Sequence, residues 1–341
     1  MEIIDRNTNT LAPRVYKLFE SLGVKESSRN GPVLRIPDPV TIVLTHPWER
    51  VNMCPARDAN PYFHFMEAMA MLAPFNSVSF LSHFAKPIAQ FSDDGETFNA
   101  FYGTRAFCRW HDQVEEVIGR LAANPKDRQT VVMLWDPQDN LMFTKDKACN
   151  LMMLFSVDTN GRVRMTTYNR SNDAVLGGVS GANIVHFSYF HEFVAQALNR
   201  AMGEWWHTSN NLHVYTDSPV WERVRERAQS RVPNDPYSIR DLQRRSLFTN
   251  GGEGSRNFRQ ALSRTLACLD SCIRDCDNEI FFQETKEPHL DKNLIPMFNS
   301  WVMHKRKAPE MAKSYASAIE DPAWRLACTA WLERRYNNQT I

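Results

Sequence analysis

With 341 residues, 43% of them hydrophobic and 23% charged, the chain carries enough apolar material to bury a full core in one large domain or two ordinary ones. Forty basic against thirty-nine acidic residues leave a net charge of +1, which excludes recruitment of nucleic acid or an anionic membrane by an overall field. Any anionic partner must therefore be held by a local arginine cluster.

No apolar run is long enough to span a bilayer, and "MEIIDRNTNTLAPRVYKLFE" lacks a signal-peptide core, so a cytoplasmic location without membrane contact is expected. Seven cysteines without a secretory signal read as reduced thiols. Residues 1–60 are rich in Pro, Asn and Arg around one strand candidate, "VTIVLTH". "PYFHFMEAMAMLAPF" opens on a proline and predicts a buried helix ending before Pro74. "WHDQVEEVIGRLAANP" predicts an amphipathic helix stopped at Asn124-Pro125. Three strands follow, "RQTVVMLWD", "CNLMMLFSVD" and "GRVRMTTYNR", the last two joined as a hairpin through "DTNG". "IVHFSYFHEFVAQALNRAMG" predicts a long helix, apolar on one side and ending near Gly203, and "NNLHVYTD" another strand. Beyond about residue 240, "NGGEGSRN" reads as a polar linker before helical segments such as "FRQALSRTLACLDSCIRD" and "DPAWRLACTAWLERRYNN". These divide the chain into residues 1–240, holding the sheet, and 241–341, a helical extension packed on it. No internal repeat or low-complexity tract appears.

Cys268, Cys272 and Cys276 recur every four residues and would form one helical stripe. Neither a fourth ligand nor a familiar ligand spacing accompanies them, so core packing is expected and no metal. The segment "YNRSNDAVLGGVSGANIVHFSYFHEF" is more informative. Arg170 and Ser171 at a strand end can hold a phosphate in a charge-assisted fork, the glycines allow close backbone approach, and the Asn183 amide offers a donor and an acceptor to a pyrimidine edge. By itself the segment is also a plausible capped loop.

Several stretches in order resemble the thymidylate synthase superfamily, including the pyrimidine nucleotide hydroxymethylases found in phages and in nucleoside-antibiotic pathways. From about residue 25 to about residue 220 these are "SRNG" with Arg29, "FHFMEAMAML" with Glu67, "FNAFYGTRAF" with Tyr102 and "NPKDRQ" with Arg128. "KACN" with Cys149, "RSND" with Arg170, Ser171 and Asp173, Asn183 followed by Ile, and "LHVY" with His213 and Tyr215 complete the set.

The resemblance implies an α/β (α+β) fold with a mixed sheet, packed helices and here a C-terminal helical extension. It implies a one-carbon transferase that binds a pyrimidine nucleoside monophosphate and 5,10-methylenetetrahydrofolate. Cys149 would add to C6 of the base and make C5 nucleophilic, in a setting of arginines that lowers its pKa. Glu67 would move protons, with Tyr102 and Asp173 completing the catalytic group, and Asp173 would also bond the pterin. Arg29, Arg170 and Ser171 would hold the phosphate, together with Arg128 reaching over from the second subunit of a homodimer. Asn183 would read the base, and His213 and Tyr215, two apart on one strand face, would hold the sugar. No nucleic-acid partner is implied, and a phage-encoded member would work in the host cytoplasm.

Departures shape the expected product. Asn150 stands where the family follows its nucleophile with histidine, Gln129 replaces the second member of an arginine pair, and Leu81 and Phe84 occupy the aligned place of two cofactor-binding tryptophans. The glycine loop is about two residues longer, and the tail ends in "YNNQTI". A site without its aromatic lid admits water, which favours a hydroxymethyl over a methyl product. Asn183 favours dUMP over dCMP or CMP, although an ungapped register would put Gly181 there. dTMP synthesis and a silent nucleotide- or RNA-binding homologue remain the alternatives.

Overall fold

A computed structural model of the chain describes residues 1–228, 237–238, 242, 245–275 and 287–337. Strand β1 (Glu2–Asp5) leads into helix α1 (Thr8–Leu22), capped by Asn7, whose side chain accepts from the backbone N–H groups of Asn9 and Thr10. Then come the hairpin β2 (Val24–Ser28) and β3 (Gly31–Arg35), and strand β4 (Val40–Leu44). The proline-rich start is thus more regular than its composition indicates. Only β4 was expected there; Pro13 lies inside α1 and disguises it.

Helix α2 (Pro61–Leu72) has Pro61 in its first turn and ends before Pro74, as its sequence predicts. Helices α3 (Val78–Phe84), α4 (Tyr102–Phe107) and α5 (Gln113–Ala123) follow, α5 stopping at its cap Asn124. Strands β5 (Val131–Met133), β6 (Asn150–Val157) and β7 (Val163–Asn169) are the three expected, with β6 and β7 antiparallel across the Asp158–Gly161 turn. Short strand β8 (Asn172–Asp173) and a π turn at Ala174–Gly178 precede α6 (Ala182–Ala197).

Two corrections concern α6. It stops at Ala197, and Asn199, with φ of 51°, turns the chain into strand β9 (Met202–Ser209), which absorbs Gly203. Residues 202–209 alternate buried and half-buried, a period of two that marks a strand. Nor is α6 apolar on one side only: Ile184 to Ala195 are buried without interruption, which requires neighbours all round.

Strand β10 (Leu212–Tyr215) and helix α7 (Pro219–Ala228) complete the first part. A six-stranded mixed sheet runs β1-β4-β9-β7-β6-β5, and a four-stranded one runs β2-β3-β10-β8. The architecture is the expected α/β class, with two sheets instead of one.

The C-terminal helices explain why α2 and α6 are buried. "NGGEGSRN" is no linker: a helix spans Gly251–Asp275 and takes in all of it after Asn250. Helices Ile295–Lys305, Pro309–Ser317 and Pro322–Tyr336 follow. The Tyr62 hydroxyl lies 2.7 Å from Ser300 Oγ, the Trp324 indole donates to the Tyr189 hydroxyl at 2.8 Å, and Phe65 packs edge-on to Trp324. One apolar cluster runs from Ile3 to Leu332 through both parts. A buried pair, Arg50 and Glu192, anchors α6 to the loop after β4. Cys268 is exposed and Cys272 half-buried, so the thiol stripe is not core; Cys276 lies outside the described residues, as does the tail after Asn337.

Candidate active site

Cys149 immediately precedes β6, and the ladder with β7 slips there: Asn150 pairs with Asn169 but Met152 with Tyr168. A bulge at this place re-aims the side chains beside it. Tyr102, the first residue of α4, reaches the same spot. Its hydroxyl receives the backbone N–H groups of Cys149 and Asn150, each at 3.3 Å, and the Asn150 side-chain amide at 2.8 Å. The Tyr-Gly pair has a packing reason: a Cβ on Gly103 would lie 2.3 Å from the Met71 carbonyl, so only glycine lets α4 abut α2.

Arg170 straps the loop from the other side. Its Nε donates to the Ala148 carbonyl at 2.8 Å, one terminal nitrogen to the Lys147 carbonyl at 3.0 Å, and the same nitrogen lies 3.7 Å from Cys149 Sγ. The expected lowering of the thiol pKa is not found in the single chain. Burial pushes it up, Arg170 and Arg29 oppose that and Asp146 adds to it. Two guanidiniums do not outweigh the loss of water around a largely buried sulfur.

Asp173 and His213 face each other across β8 and β10. The Asp173 carboxylate accepts from the N–H groups of Val175 and Leu176 at 2.7 and 3.1 Å, capping the π turn, while burial raises its pKa. The His213 and Tyr215 rings stand perpendicular at 5.3 Å, as two residues on one strand face should. Ser171 is half-buried beside Arg170.

Asn183 lies in the first turn of α6, against the π turn. A Cβ on Gly177 would meet Asn183 Nδ2 and Asn172 Oδ1, both at 3.2 Å, and one on Gly178 would fall 2.0 Å from Asn172 Nδ2. The glycines therefore let the turn close over the two amides. Gly181, the alternative base reader, is the N-cap and packs on the Leu176 carbonyl.

Glu67 is buried on α2 and paired with His186 Nδ1 on α6 at 3.3 Å. Among the described residues, buried polar atoms without a partner include Asn150 Oδ1 next to Cys149, Oδ1 of its cross-strand neighbour Asn169, Asn172 Oδ1 and His186 Nε2. Native interiors rarely leave such groups unpaired, so each is a group that a bound ligand or water would satisfy.

The remaining residues are less closely joined. Arg29 is exposed in the β2–β3 turn and lines a groove of about 560 Å³ with Phe91, Phe143, Thr144, Lys145 and Lys147. Arg128 is exposed between α5 and β5, and no hydrogen bond or ion pair joins it to Cys149 or Arg170 in the single chain. Leu81 and Phe84 are 1% and 3% exposed, with Phe84 packed against Phe298 and Trp301. Neither presents a surface to a cofactor in this chain. Phe91 and Phe143 are aromatic rings open to solvent in the groove that Arg29 and Lys147 line.

Sequence reasoning missed His186, Asn172, His207 and this groove. Asn172 Nδ2 donates to His207 Nε2 at 2.8 Å and to Ser209 Oγ at 2.9 Å, and burial lowers the His207 pKa to about 3, keeping it neutral. The signal for His207 was the alternation in β9, lost when α6 was read through to Gly203. Among the described residues no cluster of three or more His, Cys, Asp or Glu could hold a metal, and no helix is long and apolar enough to cross a membrane.

A family model described as thymidylate synthase matches residues 69–247. Over 343 aligned residues the chain is 33% identical to a deoxyuridylate hydroxymethyltransferase of Pseudomonas phage M6, covering 97% of this chain and 93% of that protein. It is 32% identical over 261 residues to a deoxyuridylate hydroxymethyltransferase of Bacillus phage SP01, covering 70% of this chain and 66% of that one. A thymidylate synthase of Oenococcus oeni (strain ATCC BAA-331 / PSU-1) is 30% identical over 106 residues, 31% of this chain and 32% of its own.

Proposed function

Because the chain belongs to the thymidylate synthase family and is a one-carbon transferase, we propose that it converts dUMP to 5-hydroxymethyl-dUMP. The observation that carries this reading is the match to a phage deoxyuridylate hydroxymethyltransferase over 97% of the chain, C-terminal helices included.

Cys149 is the nucleophile. Its thiolate adds to C6 of uracil, and the electron pair displaced toward C5 attacks the one-carbon donor. Burial disfavours the thiolate, so the Arg170 guanidinium at 3.7 Å is the group that offsets it. Tyr102 fixes the backbone that carries the sulfur. Asn183 reads the uracil edge, which presents a donor between two acceptors, and His213 with Tyr215 orients the sugar. Arg29, Arg170 and Ser171 hold the phosphate, with Arg128 contributed by the second subunit of a homodimer. Glu67 and Asp173 handle protons.

The donor is 5,10-methylenetetrahydrofolate, which supplies a carbon at the oxidation level of formaldehyde. The residues present fit it: exposed Phe91 and Phe143 offer faces to flat rings, and Lys145 and Lys147 offer charge to its carboxylates. Residues 1–240 form the catalytic domain in this reading, and 241–341 the helical cover over α2 and α6.

The test is an assay of the purified protein with the folate and, separately, dUMP, dCMP, UMP and CMP, weighing products by mass spectrometry and following dihydrofolate by absorbance. Gain of CH2O on dUMP without dihydrofolate is expected. Gain of CH2 with dihydrofolate would overturn the hydroxymethyl assignment, and reaction of dCMP alone would overturn the base.

A further inference from the structure

His186 is 2% exposed in α6, its Nδ1 paired with Glu67, its ring 5.6 Å from that of Tyr102. Because the Tyr102 hydroxyl takes the Cys149 N–H, one tyrosine separates His186 from the nucleophile. With its Nδ1–H given to the carboxylate, the imidazole presents Nε2 as an acceptor, and that atom is buried with no partner among the described residues. A carboxylate that orients an imidazole whose far nitrogen is left unpaired is the arrangement of a general base. The neighbouring residues offer no substitute. Burial lowers the pKa of His64 and His207 to about 3, and Asn150, whose Nδ2 donates to Tyr102, carries only an amide oxygen, which is no proton acceptor at this level of basicity.

Resting on the hydroxymethylation reading above, we propose that His186, oriented by Glu67, is the general base that activates the water completing the reaction. The substrate at this point is the Cys149 adduct bearing an exocyclic methylene at C5. The water oxygen bonds to the methylene carbon and gives a proton to Nε2. The methylene π pair moves through C5 to the C4 carbonyl as an enolate. When the enolate collapses, C5=C6 re-forms and the C6–Sγ bond breaks, releasing thiolate. The proton on His186 then neutralises that thiolate, so no oxidant or reductant is consumed.

The experiment lets a second nucleophile compete for the methylene. With dUMP, the folate and 2-mercaptoethanol, mass spectrometry separates the hydroxymethyl product from the thioether that the thiol gives. In His186→Gln the thioether-to-hydroxymethyl ratio should rise at least about 10-fold, the lower range of what a general base contributes, while calorimetric dUMP affinity stays unchanged. Both products falling together at a constant ratio would overturn the proposal, since a merely structural residue slows every step alike. Independently of whether the variant folds, the wild-type ratio should move toward thioether in D2O, and an identical ratio in the two solvents would also refute it. Wild-type protein yielding no hydroxymethyl product would instead refute the reading on which the proposal rests.

Discussion

Tyr102 and Asn150 form one unit beside Cys149: the tyrosine hydroxyl takes the Asn150 side-chain amide at 2.8 Å together with two backbone N–H groups of β6 and its approach. Burial keeps the phenol protonated by raising its pKa. Tyr102→Phe strands these donors, at a cost of about 1–3 kcal/mol in stability. A loss of kcat of about 10–100-fold should accompany it, because the sulfur loses its fixed position. Urea denaturation and steady-state kinetics check both; wild-type values in the two assays would show the hydroxyl to be idle.

Cys149→Ser should abolish turnover and leave dUMP binding by calorimetry largely intact; loss of binding too would make the cysteine structural. The thiol pKa lies above its ordinary value because burial outweighs Arg170 and Arg29, so thiolate appears only as pH rises past that ordinary value. Arg170→Gln removes the main opposing charge and should move the pH profile of iodoacetamide alkylation further upward. A downward shift would contradict this account.

Asn183→Asp should turn preference from dUMP toward dCMP, since a carboxylate accepts from an exocyclic amino group but cannot donate to O4 of uracil. Competition between the two nucleotides in one reaction measures it. No change would mean that another residue reads the base.

If each site takes Cys149 from one subunit and Arg128 from the other, mixing two inactive variants should rescue activity. Refolding Cys149→Ser together with Arg128→Ala from urea should yield about a quarter of wild-type activity, since half the dimers are mixed and each carries one intact site. Absence of rescue, with dimers present in sedimentation, would place Arg128 outside the site.

Stability should fall in acid. Burial lowers the pKa of His64, His207 and His289 to about 3 from an ordinary 6.5. The unfolded chain then binds more protons than the folded one, so this contribution is fully present above pH 6.5 and is lost as pH falls from there through about 3. The slope is about 1.4 kcal/mol per pH unit for each histidine. Urea midpoints at pH 7.5, 6 and 5 should drop progressively; a flat series would show that these rings charge without penalty.

The candidate residues that lie close together in the chain were legible because their grouping is local. Arg170, Ser171 and Asp173 share one short segment, and His213 and Tyr215 are two apart on a strand, a spacing that puts those two on one face. The fold was legible where periodicity had one dominant cause. β6 and β7 flank a turn, and α5 buries Val114, Val117, Ile118 and Leu121 on a single stripe. It was misread where burial comes from elsewhere. α6 was read through to Gly203 because helices more than 50 residues downstream cover it and bury it all round, and "NGGEGSRN" looked like a linker because of its glycines, although Gly251, at φ 55°, packs against Asn199 and opens a helix.

What the sequence by itself determined is a set of candidate groups and their local geometry: a cysteine at a strand entry, an arginine-serine pair at a strand end, an amide opening a helix. Only the tertiary structure decided which of them meet. It joined Glu67 to His186 across 119 residues, left Leu81 and Phe84 in the core while Phe91 faces a groove, and raised the Cys149 thiol that the arginines were expected to lower. The physical reason is that hydrogen-bonding capacity and backbone preference belong to a residue and its neighbours. Desolvation and pairing belong to whatever distant segment folds against them.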